Sequence, residues 1–217
     1  ICDRTDQVTG ASHLVLPGDA AFGDAMRRLR QAGWVETIRN AVEEGRPFLG
    51  ICVGLQLIFS ESEEMGRHRG LGLLSGRCVR FSSFERVPQI GWNAVRQKRP
   101  DCPLFRGIRD GAYFYFVHSY YAELSPLTSA RSDFILPFSA ALEKGNFYGV
   151  QFHPEKSQKN GMRLLENFAK LSDFEVVRFD RRVLMPKGLP LLAGLLNRFI
   201  APAKNLVKLK PIIPGSA

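Results

Sequence analysis

The sequence predicts an α/β fold that contains a parallel sheet and continues into a β-rich second half. In the first third of the chain, short apolar runs alternate with helical stretches, which is the pattern of parallel strands connected by helices. After residue 76, strand-like runs rich in aromatic and β-branched residues follow one another. The chain has 217 residues, 45% of them hydrophobic, and is long enough for one substantial core.

Strands and helices alternate up to about residue 60. The first apolar strand stops at Pro17-Gly18, and Gly33 and Gly45 are helix-ending signals. The predicted elements are a strand at 13–16, helices at 24–32 and 35–44, a strand at 48–51 and a helix at 53–60. Sites in such sheets form at the carboxyl ends of the strands, so the residues just after 16 and 51 are the first candidates.

The second half is predicted to be mainly β-structure. The expected strands are at 77–81, 113–121, 138–142 and 147–152. A turn at Gly145-Asn146 separates the last two strands. Residues 161–171 form an amphipathic helix, because apolar residues recur there at helical spacing.

The net charge of +9 is concentrated near the C-terminus. Residues 172–217 contain eight Lys or Arg and three Asp or Glu, a net charge of +5. No stripe of interleaved basic and aromatic residues occurs in the body of the chain, so we expect no nucleic-acid partner. No apolar run approaches the roughly 20 residues that span a bilayer, and no secretory signal opens the chain, so we expect no membrane partner.

The four cysteines form no C-x-x-C pair, which argues against a metal site. A reduced, cytoplasmic setting fits this cysteine usage best. We expect Cys2, Cys78 and Cys102 to act as small hydrophobic or loop residues.

The segment around Cys52 has the pattern of a nucleophile elbow. Gly50 and Gly54 flank the cysteine two residues on either side, directly after the apolar run 47–49. In an elbow a strand turns sharply into a helix, and the strained apex residue needs glycine neighbours because its surroundings are crowded. The thiol is then exposed beside a helix N-terminus, which favours thiolate, and the Val53 N–H can serve an oxyanion. We therefore expect Cys52 to be a nucleophile.

His153 and Glu155 are the expected base and orienting group for this nucleophile. They are two residues apart, so in an extended segment both side chains lie on one face. The remaining histidines are expected to be structural or solvated, and His118, which lies in an aromatic strand, to be a hydrogen-bonded core imidazole.

These motifs resemble the class I, triad-type glutamine amidotransferases. The resemblance is carried by Gly-Ile-Cys-Val-Gly-Leu-Gln at 50–56 and by Gln-Phe-His-Pro-Glu at 151–155. Further segments are similar to the glutaminase subunits of imidazole glycerol phosphate synthases, namely 14–18, 21–26, 87–93, 113–121 and 156–158. The similarity extends from the start of the chain to about Leu171.

The resemblance implies a flavodoxin-like, doubly wound sheet with an added antiparallel portion. It implies hydrolysis of glutamine to glutamate and ammonia without a cofactor or metal, and a heterodimer with a cyclase subunit. That synthase partner uses the ammonia to make imidazole glycerol phosphate in histidine biosynthesis. The implied residues are Gly18, Asp19 and Val53 for the oxyanion, Gln56, Glu64, Ser119 and Tyr120 for glutamine, and Trp92, Asn93, Tyr115 and Lys156 for the partner interface.

The sequence departs from this family at two places. Relatives carry Val-Gly after the Pro-Gly at 17–18, whereas this chain has Asp19-Ala20, which predicts a weakened oxyanion site. Relatives also place a first strand and helix before residue 14, and their loss is expected to expose strand edges. We expect an N-terminally incomplete amidotransferase domain at 1–171 and a basic, Pro-containing extension of unknown role at 172–217.

Two alternatives stay open at this point. One is an amidotransferase for another acceptor, as in the anthranilate, aminodeoxychorismate or surface-sugar pathways. Leu55 after Gly54 and the Lys-Ser-Gln at 156–158 favour the histidine pathway over these. The other alternative is a truncated, non-catalytic remnant that keeps the motifs without a complete sheet.

Overall fold

Two sheets and four α-helices organise the part of the chain that the structure, a computed structural model, describes: residues 2, 4–8, 10–82, 86–171 and the backbone of 206–208. The helices are α1 (Phe22–Gln31), α2 (Trp34–Glu43), α3 (Val53–Gln56) and α4 (Gln158–Ala169). The strands are β1 (His13–Gly18), β2 (Phe48–Cys52), β3 (Phe59–Ser62), β4 (His68–Arg69), β5 (Leu74–Arg80), β6 (Gln89–Gln97), β7 (Ala112–His118), β8 (Tyr120–Ala122), β9 (Thr128–Phe134), β10 (Leu136–Lys144), β11 (Phe147–Val150) and β12 (Leu206–Lys208).

The larger sheet has eight strands in the order β12-β1-β2-β11-β10-β9-β6-β7. The pairs from β12 through β1 and β2 to β11 are parallel, and those from β11 to β7 are antiparallel. A smaller sheet has the order β4-β3-β5-β8. The α/β fold with an added antiparallel portion, predicted from the sequence, is therefore confirmed.

The parallel strands are buried on both faces because helices and loops cover both sides of the sheet. Every residue of β1 and β2 is buried. On one face Leu14 and Leu16 belong to a core that includes the apolar sides of α1 and α2. On the other face Val15 and Ile51 belong to a core that includes Phe168 of α4. Each large apolar side chain buried in this way contributes about 2 kcal/mol, so both layers hold β1 and β2 in place.

The helix predicted at 53–60 is wrong in length. The helical turn α3 ends at Gln56, and β3 begins three residues later at Phe59. The apolar run 57–59 is buried, and its last residue, Phe59, begins the pairing of β3 with β5, so tertiary packing overrides the local helical pattern. β2, which ends at Cys52, is thus followed by one helical turn and another strand.

The aromatic stretch predicted as one strand at 113–121 is two strands in different sheets. β7 ends at His118 and pairs with β6, whereas β8 begins at Tyr120 and pairs with β5. Ser119 is the single residue between them. Strands β6 and β9 were not predicted, since polar residues interrupt their apolar pattern.

The outer edge of β1 carries a paired strand in the structure. β12, which lies within the predicted extension 172–217, runs parallel to β1 with His13 opposite Leu206. The sequence had suggested an exposed edge at this place. The other residues of the extension lie outside the described part of the chain.

Candidate active site

Cys52 is the last residue of β2 and adopts an unusual backbone conformation. Its φ is 54° and its ψ is −113°, and α3 begins at the next residue. A non-glycine residue at positive φ is strained by about 1–3 kcal/mol and persists only where its surroundings hold it. The elbow that the sequence indicated is therefore present, with the cysteine at its apex.

The glycines around the elbow are required by close backbone contacts. A Cβ atom on Gly54 would lie 1.7 Å from the carbonyl oxygen of Leu16 in β1. A Cβ atom on Gly50 would lie 2.6 Å from the carbonyl oxygen of Gly54. These contacts let the turn after β2 pack directly on β1, which places the cysteine opposite Gly18.

His153 and Glu155 form a buried pair. The Nδ1 atom of His153 lies 2.7 Å from Oε1 of Glu155. Both residues are only 7% exposed, and a 3-10 turn at Pro154–Lys156 brings the two side chains together. The spacing of two residues predicts an extended segment here, so the pairing of the side chains is as expected but the predicted backbone conformation is wrong.

Burial and two acidic neighbours act in opposite directions on the pKa of His153. Burial alone lowers the pKa of an imidazole, because the charged form loses its hydration. The Cys52 sulfur and the Glu155 carboxylate act in the opposite direction and raise the pKa of His153 to about 10. Its Nε2 atom is buried and has no well-aligned hydrogen bond to any described residue. The surroundings of His153 therefore favour its charged imidazolium form.

Gln56 and Tyr120, two of the predicted glutamine-binding residues, are brought together. The Nε2 group of Gln56 donates to the carbonyl oxygen of Tyr120 at 3.0 Å and to Oε1 of Gln151 at 3.1 Å. Both N–H bonds of this amide are thus used, and its Oε1 atom is the end left to receive a donor such as an ammonium group.

Ser119 and Glu64 are placed differently. The carbonyl oxygen of Ser119 accepts a hydrogen bond from the Phe81 N–H, which ties the β7–β8 junction to the smaller sheet. Glu64 accepts from the Phe22 N–H at 2.6 Å, so its carboxylate lies at the N-terminus of α1. A carboxylate stabilises that helix end, which gives Glu64 a structural role besides any contact with substrate.

The predicted oxyanion residues lie at the ends of adjacent strands. Gly18 ends β1 beside Cys52, and a Cβ atom on it would lie 2.8 Å from Cβ of Val53. Asp19 is exposed and Ala20 is buried. The small Ala20 side chain is therefore accommodated in this loop, while the Asp19 carboxylate reaches solvent.

Three of the four predicted interface residues lie together on one face of the paired strands β6 and β7, two within the strands and Lys156 from the 3-10 turn beside them. Trp92 and Tyr115 are opposite each other, with ring centroids 6.0 Å apart, and Trp92 is 46% exposed. The Nζ atom of Lys156 lies 5.8 Å from the centre of the Tyr115 ring. Asn93 follows Trp92 and points to the opposite face, where its amide donates to the carbonyl oxygen of Asp133.

Two groups that contact the Cys52 sulfur were not predicted from the sequence. The side chain of Gln151 lies with its Nε2 atom 3.7 Å from Sγ of Cys52. The carbonyl oxygen of Val117 lies 3.8 Å from the same sulfur. The position of Gln151 two residues before His153 was a usable signal for the first, whereas no side-chain pattern reports a backbone carbonyl.

The profile of the family described as glutamine amidotransferase class-I matches residues 7–171. The chain belongs to this family. Curated relatives are named imidazole glycerol phosphate synthase subunit HisH. The one from Desulfitobacterium hafniense is 49% identical over 172 residues, covering 78% of this chain and 81% of the relative. The one from Thermococcus kodakarensis is 50% identical over 170 residues, covering 76% and 85%. The predicted likeness to this subunit is thus confirmed, and the chain is a glutamine amidotransferase.

Solved structures agree on the fold. One described as a glutamine amidotransferase superposes with a TM-score of 0.58 at 20% identity, covering 77% of this chain and 84% of the other. The glutaminase domain of Trypanosoma brucei CTPS has a TM-score of 0.53 at 15% identity, covering 76% and 74%. In the described ranges no cluster of three or more His, Cys, Asp or Glu is arranged to hold a metal ion. The same ranges contain no helix with the length and apolarity to cross a membrane.

Proposed function

We propose that this amidotransferase hydrolyses glutamine through Cys52, His153 and Glu155 and delivers the ammonia to a cyclase subunit that makes imidazole glycerol phosphate. The observation that carries the proposal is the strained Cys52 at the elbow beside the buried His153–Glu155 pair. The names of its relatives support the acceptor pathway. The chemistry needs no cofactor, and a cytoplasmic location is part of the proposal.

The first half of the reaction forms a thioester. The Cys52 thiolate attacks the side-chain carbonyl carbon of glutamine, a C–S bond forms, and the carbonyl electron pair moves to the oxygen. The Val53 N–H and the backbone near Gly18 would stabilise that oxyanion. When the intermediate collapses, the C–N bond breaks and the nitrogen takes a proton from Nε2 of His153, so ammonia leaves.

The second half returns the enzyme to its starting state. A water molecule gives a proton to His153 and attacks the thioester carbon, and the C–S bond breaks to release glutamate and the thiolate. Glu155 orients the ring through Nδ1 and stabilises its charged form in both halves. Gln56, with its Oε1 free of donors from the described residues, is suited to the α-ammonium group of the substrate.

The partner surface in this proposal is the exposed face of Trp92 and Tyr115 together with Lys156. Aromatic rings and a cation at a rim are typical of recognition surfaces, and Lys156 directly follows Glu155 in the chain. A partner that binds this face would contact Tyr115, which is hydrogen-bonded to the backbone of the catalytic histidine. The Tyr115 carbonyl oxygen accepts from the backbone N–H of His153 at 2.8 Å.

The test is a glutaminase assay of the chain with its cyclase partner and the partner's nucleotide substrate. We expect glutamine-dependent synthesis in the wild type and none with Cys52→Ala, whereas synthesis from added ammonium salt persists in both. Loss of both activities in the variant would assign a structural role to the cysteine. Absence of glutaminase activity in the wild-type complex would favour the non-catalytic alternative.

A further inference from the structure

Gln151 occupies a position next to the nucleophile for which the triad gives no role. It follows β11 directly, is completely buried, and places its Nε2 atom 3.7 Å from Sγ of Cys52. Its Oε1 atom accepts from Gln56 at 3.1 Å, and Gln56 in turn donates to the Tyr120 carbonyl oxygen at 3.0 Å. The three groups form a continuous chain of hydrogen bonds that ends on the sulfur.

The Tyr120 carbonyl oxygen, at the end of this chain of hydrogen bonds away from the sulfur, fixes which amide groups donate and which accept. An amide side chain can be rotated so that its oxygen and nitrogen exchange places, but a backbone carbonyl oxygen only accepts. The Tyr120 carbonyl therefore requires the nitrogen of Gln56 to face it. The second N–H of that nitrogen requires the oxygen of Gln151, so the NH₂ group of Gln151 is left to face the sulfur.

We propose that Gln151 is a catalytic residue whose amide N–H stabilises the Cys52 thiolate, and that Gln56 and the Tyr120 carbonyl lock this amide in its donating orientation. The inference rests on the proposed glutaminase function and deepens it. A hydrogen bond to an ionised acceptor is about twice as strong as a neutral one, and the buried setting strengthens it further.

A second contact of the sulfur acts against the thiolate. The Val117 carbonyl oxygen, 3.8 Å from Sγ, accepts the S–H of a neutral thiol and repels a thiolate. The donor from Gln151 opposes that preference. Gln56 and Tyr120 also belong to the proposed glutamine-binding group. The same chain of hydrogen bonds therefore connects the contacts with substrate to the protonation state of the Cys52 thiol.

The test compares two buried glutamines. Gln151→Met removes the donor to the sulfur, and Gln89→Met is the matched control, because Gln89 is also buried but contacts His118. The rate at which iodoacetamide alkylates Cys52 is followed by mass spectrometry of the Cys52 peptide between about pH 5 and pH 10. We expect the midpoint of the rate profile to move up by about one pH unit in Gln151→Met and to stay in place in Gln89→Met.

A second variant provides the test if Gln151→Met does not fold. Gln56→Met unlocks Gln151 without removing it, so the midpoint should move in the same direction by a smaller amount. Thermal melts confirm that the compared variants are folded. An unchanged midpoint in folded Gln151→Met, or in Gln56→Met if the former does not fold, overturns the proposal. A shifted midpoint in a chain that lacks glutaminase activity with its partner would uphold the thiolate donor and reject the proposed function instead.

Discussion

Two buried histidines near the active site have opposite proton affinities. His153 and His118 are 7% and 6% exposed, so desolvation acts on both. Burial lowers the pKa of His118 to about 4, whereas the Cys52 sulfur and Glu155 outweigh burial and raise that of His153 to about 10. The difference comes from the neighbours: His118 contacts the Tyr120 carbonyl and the neutral Gln89 amide, and His153 contacts a carboxylate.

The comparison shows that burial alone does not decide the charge of a histidine in this fold. A neutral imidazole between uncharged groups is part of the core, and the sequence expectation of a hydrogen-bonded core role for His118 is confirmed. An imidazole between a thiol and a carboxylate can hold and release a proton. The two rings also affect each other, since a charge on His153 further lowers the pKa of His118.

The largest effect is expected from His153→Ala. Glutaminase kcat of the complex should fall by about a thousandfold or more, because the proton donor for the leaving nitrogen is lost. Ammonium-dependent synthesis should be unchanged. His118→Met is the paired variant, and its main effect should be on stability. Equal losses of kcat in the two variants would erase the distinction between the histidines.

Glu155→Gln should lower kcat by about a hundredfold, since the amide keeps the shape but removes the charge that supports the imidazolium. The raised pKa of His153 means that its protonation stabilises the folded state. This contribution to the free energy of unfolding is present below pH 6.5 and is lost as pH rises towards about 10. The free energies of unfolding of wild type and Glu155→Gln, measured in urea, should therefore differ most near pH 6.5 and least near pH 10. A variant with an unchanged pH dependence would show that Cys52 alone sets the proton affinity.

For His118 the sign is reversed. The unfolded chain takes up its proton near pH 6.5 and the folded chain only near pH 4, so stability present above pH 6.5 is lost as pH falls towards 4. A shift of this size corresponds to about 3 kcal/mol. Urea unfolding curves from pH 7 to pH 4 should show a shallower loss in His118→Met than in wild type. Parallel curves would mean that other groups cause the acid sensitivity.

His13 offers an internal check on the last expectation. It is buried and burial lowers the pKa of this histidine also to about 4, yet it lies at the opposite, amino-terminal end of β1. In a double variant that combines a substitution of His13 with His118→Met, the loss of unfolding free energy between pH 7 and pH 4 should be smaller still. Glutaminase activity should not differ from that of His118→Met.

The smallest effect is expected from Lys156→Ala. Its Nζ atom lies over the Tyr115 ring and the residue is exposed, so the change should cost less than about 1 kcal/mol in partner affinity. Partner-stimulated kcat, measured with saturating cyclase, should fall by less than about tenfold. Equal partner affinity together with equal stimulation in wild type and variant would remove Lys156 from the docking surface.

The sequence by itself determined the local parts of this protein. Gly50, Cys52 and Gly54 are close in the chain, and the contact between Gly50 and Gly54 is local, so the elbow could be predicted, whereas the contact of Gly54 with Leu16 of β1 could not. The pairing of His153 and Glu155 could also be predicted, since one tight turn joins them. The parallel strands β1 and β2 were predictable because they are short apolar runs buried on both faces.

Only the tertiary structure decided which distant groups meet at the sulfur. Gln151 and the Val117 carbonyl reach Cys52 from 99 and 65 residues away, through strands whose order in the sheet no local pattern reports. Sheet pairing likewise replaced the end of the helix predicted at 53–60 with the start of β3 at Phe59, and it divided the aromatic stretch at Ser119 between two sheets. Local sterics act over a few residues and are legible in the sequence, whereas hydrogen bonds between strands depend on the register of the whole sheet.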